Sequence, residues 1–176
     1  FKKFQSSNGF DANVSMSIVS ASTANGEDLT TDYAEAASPT FVSQLSGGKR
    51  KSLFKVKTRS HGTNVNDDFK IAIADLVAAG SVPGSDYGSF ALRVLRNNPG
   101  ENNDGEVLEE FTNLSFDPDN INYLPRAIGD RYVTIDSNGK LTYNGDYPNK
   151  SVHVYISNYA TELEGIDESL LPPGLF

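Results

Sequence analysis

The run KSLFKVKTRS, residues 51–60, constrains the fold more than any other stretch. Phe54, Val56 and Thr58 face one way along an extended chain, and Lys55, Lys57 and Arg59 face the other. Side chains alternate across a strand with a period of two, so this pattern marks a β-strand with one buried face. More strands follow. FKIAIADLVAA begins as a second, SFALRVLR is a third with Phe90, Leu92 and Val94 opposite Arg93, and EVLEEFTNLSF is a fourth. Between them, HGTNVNDD, GSVPGSDYG and NNPGENNDG hold the Gly, Asn, Asp and Pro that turn a chain. The last of these reads as a hairpin connection.

After the fourth strand the character changes at Asp117-Pro118-Asp119-Asn120. A short helix is expected next, with Tyr123, Leu124, Ala127 and Ile128 on one side. With Asn122 as N-cap, Pro125 falls in the first turn, where its missing N–H costs nothing, and Gly129 ends the helix. RYVTIDSNGKLTYNG is a hairpin turning at Asn138-Gly139. SVHVYIS is a further strand with Val152, Val154 and Ile156 inward and His153 structural on the other face. Upstream, residues 1–50 read as loop-rich and peripheral, with one strand in NVSMSIVSAST and an ambiguous stretch broken at Ser38-Pro39. Residues 51–157 form the main domain, and 158–176 read as an acidic, Pro-rich tail leaving it. The expected class is α+β: mostly antiparallel strands with one or two short helices.

Composition narrows the function. The chain has 176 residues and no Cys, so disulfides and thiolate metal sites are excluded. The two histidines, His61 and His153, lie on separate segments, which disfavours a His-based triad or zinc site. No stretch reaches the roughly 18–20 apolar residues needed to span a bilayer. The chain begins with Phe1, as a processed or excised piece would. The net charge of -8 disfavours nonspecific nucleic-acid binding. That charge is uneven: residues 1–60 carry +3 and residues 61–176 carry -11. A basic end and an acidic remainder can attract copies of the same chain head to tail, although ordinary solubilising surface gives the same numbers.

Several clusters resemble chemical sites. Asp117, Asp119 and Asn120 offer hard oxygen ligands, but Asn122 and Ile128 stand where an EF-hand loop needs its Gly and Glu. A strand end, an Asp-Pro turn and a helix cap use the same residues. Asp136-Ser137-Asn138-Gly139 reads as a hairpin turn by the same logic. SGGKRKS lacks the leading Gly and closing Ser or Thr of a phosphate loop: Ser43 and Arg50 stand there. Glu109 and Glu110 point to opposite faces, so they make no acid/base pair. Three Asn-X-Ser sequons, at Asn13, Asn113 and Asn149, arise readily by chance in so Asn- and Ser-rich a chain. Lys49, Arg50, Lys51, Lys55, Lys57 and Arg59 form a basic strip. It is either a solvated strand edge that resists aggregation or a contact for an acidic neighbouring subunit.

The order of these segments resembles a known family. Phe90-Ala91-Leu92-Arg93-Val94, then Gly105-Glu106-Val107-Leu108-Glu109-Glu110-Phe111, Asn113-Leu114-Ser115, Asp117-Pro118 and Asn122-Tyr123 are similar to the contractile tail sheath proteins of myoviruses. FKVKTRSHGTNVNDDFKIAI is similar to the strand–loop–strand preceding that run in the family. The likeness spans roughly residues 53–156. It departs from the family at His61-Gly62, which lacks an aromatic-Gly-Asn ending, and at Pro125 in the helix. It implies a structural, non-enzymatic subunit with no cofactor. Copies would stack as six-fold rings around a tail tube, attach to a baseplate and contract to drive the tube through a host envelope. Partners would be other copies, the tube and the baseplate, with no nucleic acid and no membrane insertion. The location would be the virion, and host cytoplasm during assembly. The acidic corner would then be a structural bend.

A second reading is a virion-surface or secreted β-domain that binds carbohydrate through Tyr87, Tyr123, Tyr143, Tyr147 and Asn/Asp loops. A carboxylate-based hydrolase is a third, but nothing in the sequence pairs its acids.

Overall fold

The computed structural model describes residues 35–45, 48–63, 65–81, 85–97, 105–136, 139–157 and 168–175. Residues 34–176 form one compact unit. The strand expected in NVSMSIVSAST lies outside the described residues. The described chain is mostly antiparallel strand in three sheets, with two short helices.

The first sheet is built on β3 (Ser52–His61). Its alternation holds: Phe54, Val56 and Thr58 are buried, while Lys55 and Lys57 are half-buried and Arg59 exposed. Lys57 is flanked on both sides, by Ala37 of β1 (Glu35–Ala37) and by Tyr155 of β9 (Val154–Ser157). β2 (Phe41–Val42) pairs with the start of β3. Proline at 39 supplies no N–H, and the ladder breaks there. Ser38 spans the break: its N–H donates to the Val56 carbonyl at 2.8 Å, and its hydroxyl accepts from the Val56 N–H at 3.0 Å. The ambiguous stretch before residue 50 is thus two short strands of this sheet.

The second sheet is the meander β4 (Phe69–Val77), β5 (Ser89–Arg96) and β6 (Val107–Ser115). Within HGTNVNDD a four-residue helix, α1 (Val65–Asp68), precedes β4. At the end of the β5–β6 connection Gly105 has φ 72, and a Cβ there would collide with the Arg96 carbonyl. Glycine is the residue that takes this conformation without penalty. The two sheets meet through aromatic rings. Phe54 stacks on Phe41 with centroids 4.8 Å apart, and lies 6.3 Å from Phe90 and 6.1 Å from Phe116. Offset aromatic pairs of this spacing add to the burial energy of each ring.

The corner after β6 leads into α2 (Leu124–Ile128). Pro125 sits in its first turn, as its missing N–H requires, but the N-cap is Tyr123, one residue later than expected. Asn122 is engaged elsewhere: its carbonyl accepts from the Ser115 N–H at 3.1 Å, tying the corner to β6. Gly129 follows, its N–H donating to the Pro125 carbonyl at 2.8 Å.

β7 (Tyr132–Ile135) and β8 (Leu141–Asn144) form the expected hairpin. The loop is longer than Asn138-Gly139. The Gly139 N–H donates to the Asp136 carbonyl and the Asp136 N–H to the Lys140 carbonyl, with Gly139 at φ 77. Hairpins with a residue of positive φ after the turn have this pattern.

Two expectations are corrected. Val152 is not inward but 70% exposed. The chain is still turning there: the Ser151 hydroxyl accepts from the N–H groups of His153 and Val154, and Glu109 accepts from the Val152 N–H at 2.7 Å. The inward alternation starts only at Val154. Nor do the described residues of the C-terminal stretch leave the domain. Leu170 and Leu171 are buried in the core, and Leu175 bridges Ile73 of β4. The apolar side chains in this stretch outweigh its acidic and Pro-rich composition.

Candidate functional site

The basic residues divide in two. Lys49, Arg50 and Lys51 are exposed and precede β3. Lys55, Lys57 and Arg59 share one face of β3, a strand paired on both sides. The strip therefore does not line a sheet edge, and a solvated anti-aggregation edge does not describe it. Lys57 lies 3.5 Å from the Glu35 carboxylate, which also accepts from the Tyr155 hydroxyl at 2.6 Å. Arg59 donates to the Ser151 carbonyl. Among the described residues Lys49, Arg50, Lys51 and Lys55 have no ion-pair partner. Those four cations are the part of the strip with charge to offer a neighbour.

The acidic corner spends its oxygens on its own backbone. Asp117 Oδ1 accepts from the Asp119 N–H at 2.9 Å, and Asn120 Oδ1 accepts from the Asn122 N–H at 2.9 Å. Arg126 donates to the carbonyls of Pro118 and Asn120 at 2.9 and 2.7 Å. Such side-chain turns fix a bend in the chain. Glu109 and Glu110 do face opposite ways. Glu109 reaches Ser151 and Val152, whereas Glu110 meets Arg93 Nε at 2.5 Å. Arg93 also meets Asp75 at 2.7 Å. The hydrogen bond that Arg93 donates to Glu110, with help from Asp75, raises the Arg93 pKa.

The four tyrosines of the carbohydrate reading are dispersed. Tyr123 and Tyr147 pack edge to face, 6.0 Å apart, with Arg126 over both rings. Tyr143 lies on the β7–β8 hairpin. Tyr87 lines a small cavity of about 150 Å³ together with Ser89, Asn113, Asn120 and Asn122. Burial, and then the charges of Asp117, Glu168, Asp119 and Asp86, push the Tyr87 phenol up from its ordinary value. Asn113, one of the sequon residues, has φ 54 there. Asn149, another, is bound through its amide to both backbone groups of Arg131.

Sequence reasoning missed a larger feature. A mainly apolar groove of about 490 Å³ runs between β1 and the first residues of β4, lined by Ala37, Phe41, Phe69, Ile71, Val154 and Leu175 among others. It is assembled from segments far apart in sequence, so no local pattern announces it. His153, expected to be structural, packs its ring 5.7 Å from Phe69. Comparison with protein-family models, curated proteins and solved structures finds no match to this chain.

Proposed function

We propose that this chain is part of a contractile tail sheath subunit, a structural homo-oligomer of the virion in the α+β class. The observation that carries the reading is the ordered resemblance from Phe90 to Tyr123. The packing is in keeping with it. Phe90, Leu92, Val94, Leu114, Phe116 and Tyr123 are all core residues, so the resembling run is a scaffold. The acidic corner holds a bend, as a mechanical part requires. In this reading the subunit has no catalytic role and no cofactor. Contraction is a shift between two sets of subunit contacts, driven by their difference in free energy. The basic residues of β3 and its approach would bind acidic faces of neighbouring copies.

Negative-stain electron microscopy of the whole subunit is the test. Helical tubes of uniform width are expected; dispersed particles under every salt condition would overturn the reading. Reversing Lys49, Arg50, Lys51 and Lys55 to Glu is expected to weaken ring stacking, and unchanged tubes would remove those residues from the contact.

The small cavity beside Tyr87, edged by serines and asparagines, favours one alternative, a carbohydrate-binding surface domain. Its hydroxyls and amides suit sugar hydroxyls. Glycan-array binding and a calcium-dependent shift in melting would support it, and neither is expected of a sheath.

A further inference from the structure

β4 has β5 on one side, and its other side is paired at one point. There the Ile73 N–H donates to the Leu175 carbonyl at 2.8 Å, and the Ile73 carbonyl accepts from the Leu175 N–H at 3.0 Å. The two residues form an antiparallel bridge. Backbone groups along an antiparallel strand alternate sides. The Asp68 carbonyl, which accepts from the Asn97 N–H at 3.0 Å, fixes the even-numbered residues of this strand toward β5. Ile71 therefore turns its N–H and C=O to the outer edge, as Ile73 does. Among the described residues they have no backbone partner there. An open stretch of edge beside apolar surface is a template for another strand.

The open stretch lies on the apolar groove. Ile71 and Leu175 both line it, with Phe41, Phe69 and Val154. Leu175 is 46% exposed at this place. The direction of the bridge then matters. Because Ile73 and Leu175 run antiparallel, a chain that leaves Leu175 extended passes back along β4 toward Phe69. The residue two beyond Leu175 falls opposite Ile71, at the next position where a pair exchanges both bonds.

We propose that, in the whole subunit, the polypeptide following Phe176 prolongs the strand begun at Leu175, pairs with Ile71 and covers the groove. The proposal rests on the reading of this chain as part of a larger subunit, and it identifies the segment that completes the β4 edge. Three observations select that segment as the occupant. The first is register: Leu175 already holds the position next in line on the same edge. The second is the fixed approach. Leu170 and Leu171 are buried in the core, and Pro172 and Pro173 restrict the backbone that leads from them to the bridge. A chain anchored this way loses little further freedom when it adds the next pair. The third is side-chain chemistry. Paired residues set their side chains on one face, and Ile71 packs against the core. The first residue after Phe176 would thus place its side chain over the groove, where a small or apolar one is expected. With this strand in place β4 is no longer an edge at Ile71.

Amide-resolved hydrogen exchange on the whole subunit, diluted until it is monomeric, is the test. The Ile71 amide is expected to be protected beside that of Ile73. Two prolines inserted directly after Phe176 supply no N–H and break the ladder there. Exchange at Ile71 should then rise by about tenfold or more, while Ile73 keeps its bond to Leu175. Should the prolines also free Ile73, the chain ending at Phe176 is measured instead, with Ile73 expected protected and Ile71 open. Fast exchange at Ile71 in the unmodified subunit would overturn the proposal. So would protection that survives the prolines, since another segment would then cover the edge. Protection that appears only as the concentration is raised would assign the edge to a second copy and overturn it too. Protection lost with the prolines, but no tubes from the subunit, would refute the sheath reading alone. Tubes from a subunit whose Ile71 amide exchanges freely would refute the strand alone.

Discussion

β3 and the β7–β8 hairpin are built on the same alternation and end in opposite environments. In β3 the apolar side is buried, with Phe54 against Phe90 and Phe116 and Val56 almost fully covered. In the hairpin Val133, Ile135, Leu141 and Tyr143 stay in solvent. Alternation fixes where a strand's two faces are, and it leaves open what covers them. The difference separates side chains that hold this chain together from side chains free to hold something else.

The contrast is broken most directly by truncating each face. Phe54→Ala removes a ring from the centre of the aromatic cluster, and such deletions cost about 3–5 kcal/mol. Tyr143→Ala on the uncovered face should fall within about 0.5 kcal/mol, as surface changes do. Urea unfolding of the two variants is the measurement. A comparable loss from both would mean that the hairpin face is folded against something in the same chain.

The C-terminal stretch sharpens the comparison, because composition placed it outside the domain. Leu171 is buried, and its carbonyl accepts from the Gln44 N–H at 2.8 Å. Leu171→Ala is expected to cost about 2–5 kcal/mol by the same cavity argument. A variant as stable as the parent would return the stretch to the status of a tail.

Which parts of this were legible follows from the range of the interactions. β3, β5 and β6, the Pro125 position and the hairpin are local patterns of period and turn chemistry, and each was readable. The Asp117–Asn120 bend was readable too, because its side-chain turns run between residues two or three apart, although the Arg126 bonds bracing it, six and eight apart, were not. The groove was not readable, since it joins Ala37, Ile71 and Leu175. Val152 misled because Ser151 and Glu109, 42 residues apart in sequence, capture the backbone just before β9. The basic strip was readable as residues but not as an edge, because only the pairing of β1 and β9 makes β3 central.

The base of the hairpin tests whether the uncovered face is presented deliberately or merely left loose. Asp130→Ala leaves the N–H groups of Asp146 and Tyr147 without their acceptor, at a cost of about 1–3 kcal/mol. Hydrogen exchange should speed at residues 132–144 more than in β5. Uniform exchange throughout would mean that the hairpin is held by its strands alone.

The smallest effect concerns the cavity beside Tyr87. Tyr87 ionises above its ordinary value near 10 because burial, and then the carboxylates of Asp117, Glu168, Asp119 and Asp86, disfavour phenolate. A pKa higher in the folded than in the unfolded chain means the folded state binds more protons between the two values. Its stabilising contribution is therefore intact below pH 10 and declines as pH rises through the folded-state value. Tyr87→Phe removes the ionisation, so the variant's urea midpoint should fall less steeply with alkaline pH than the parent's. Parallel curves would show that the phenol is open to solvent on the cavity rim. The nearby carboxylates would then be too well screened to act on it.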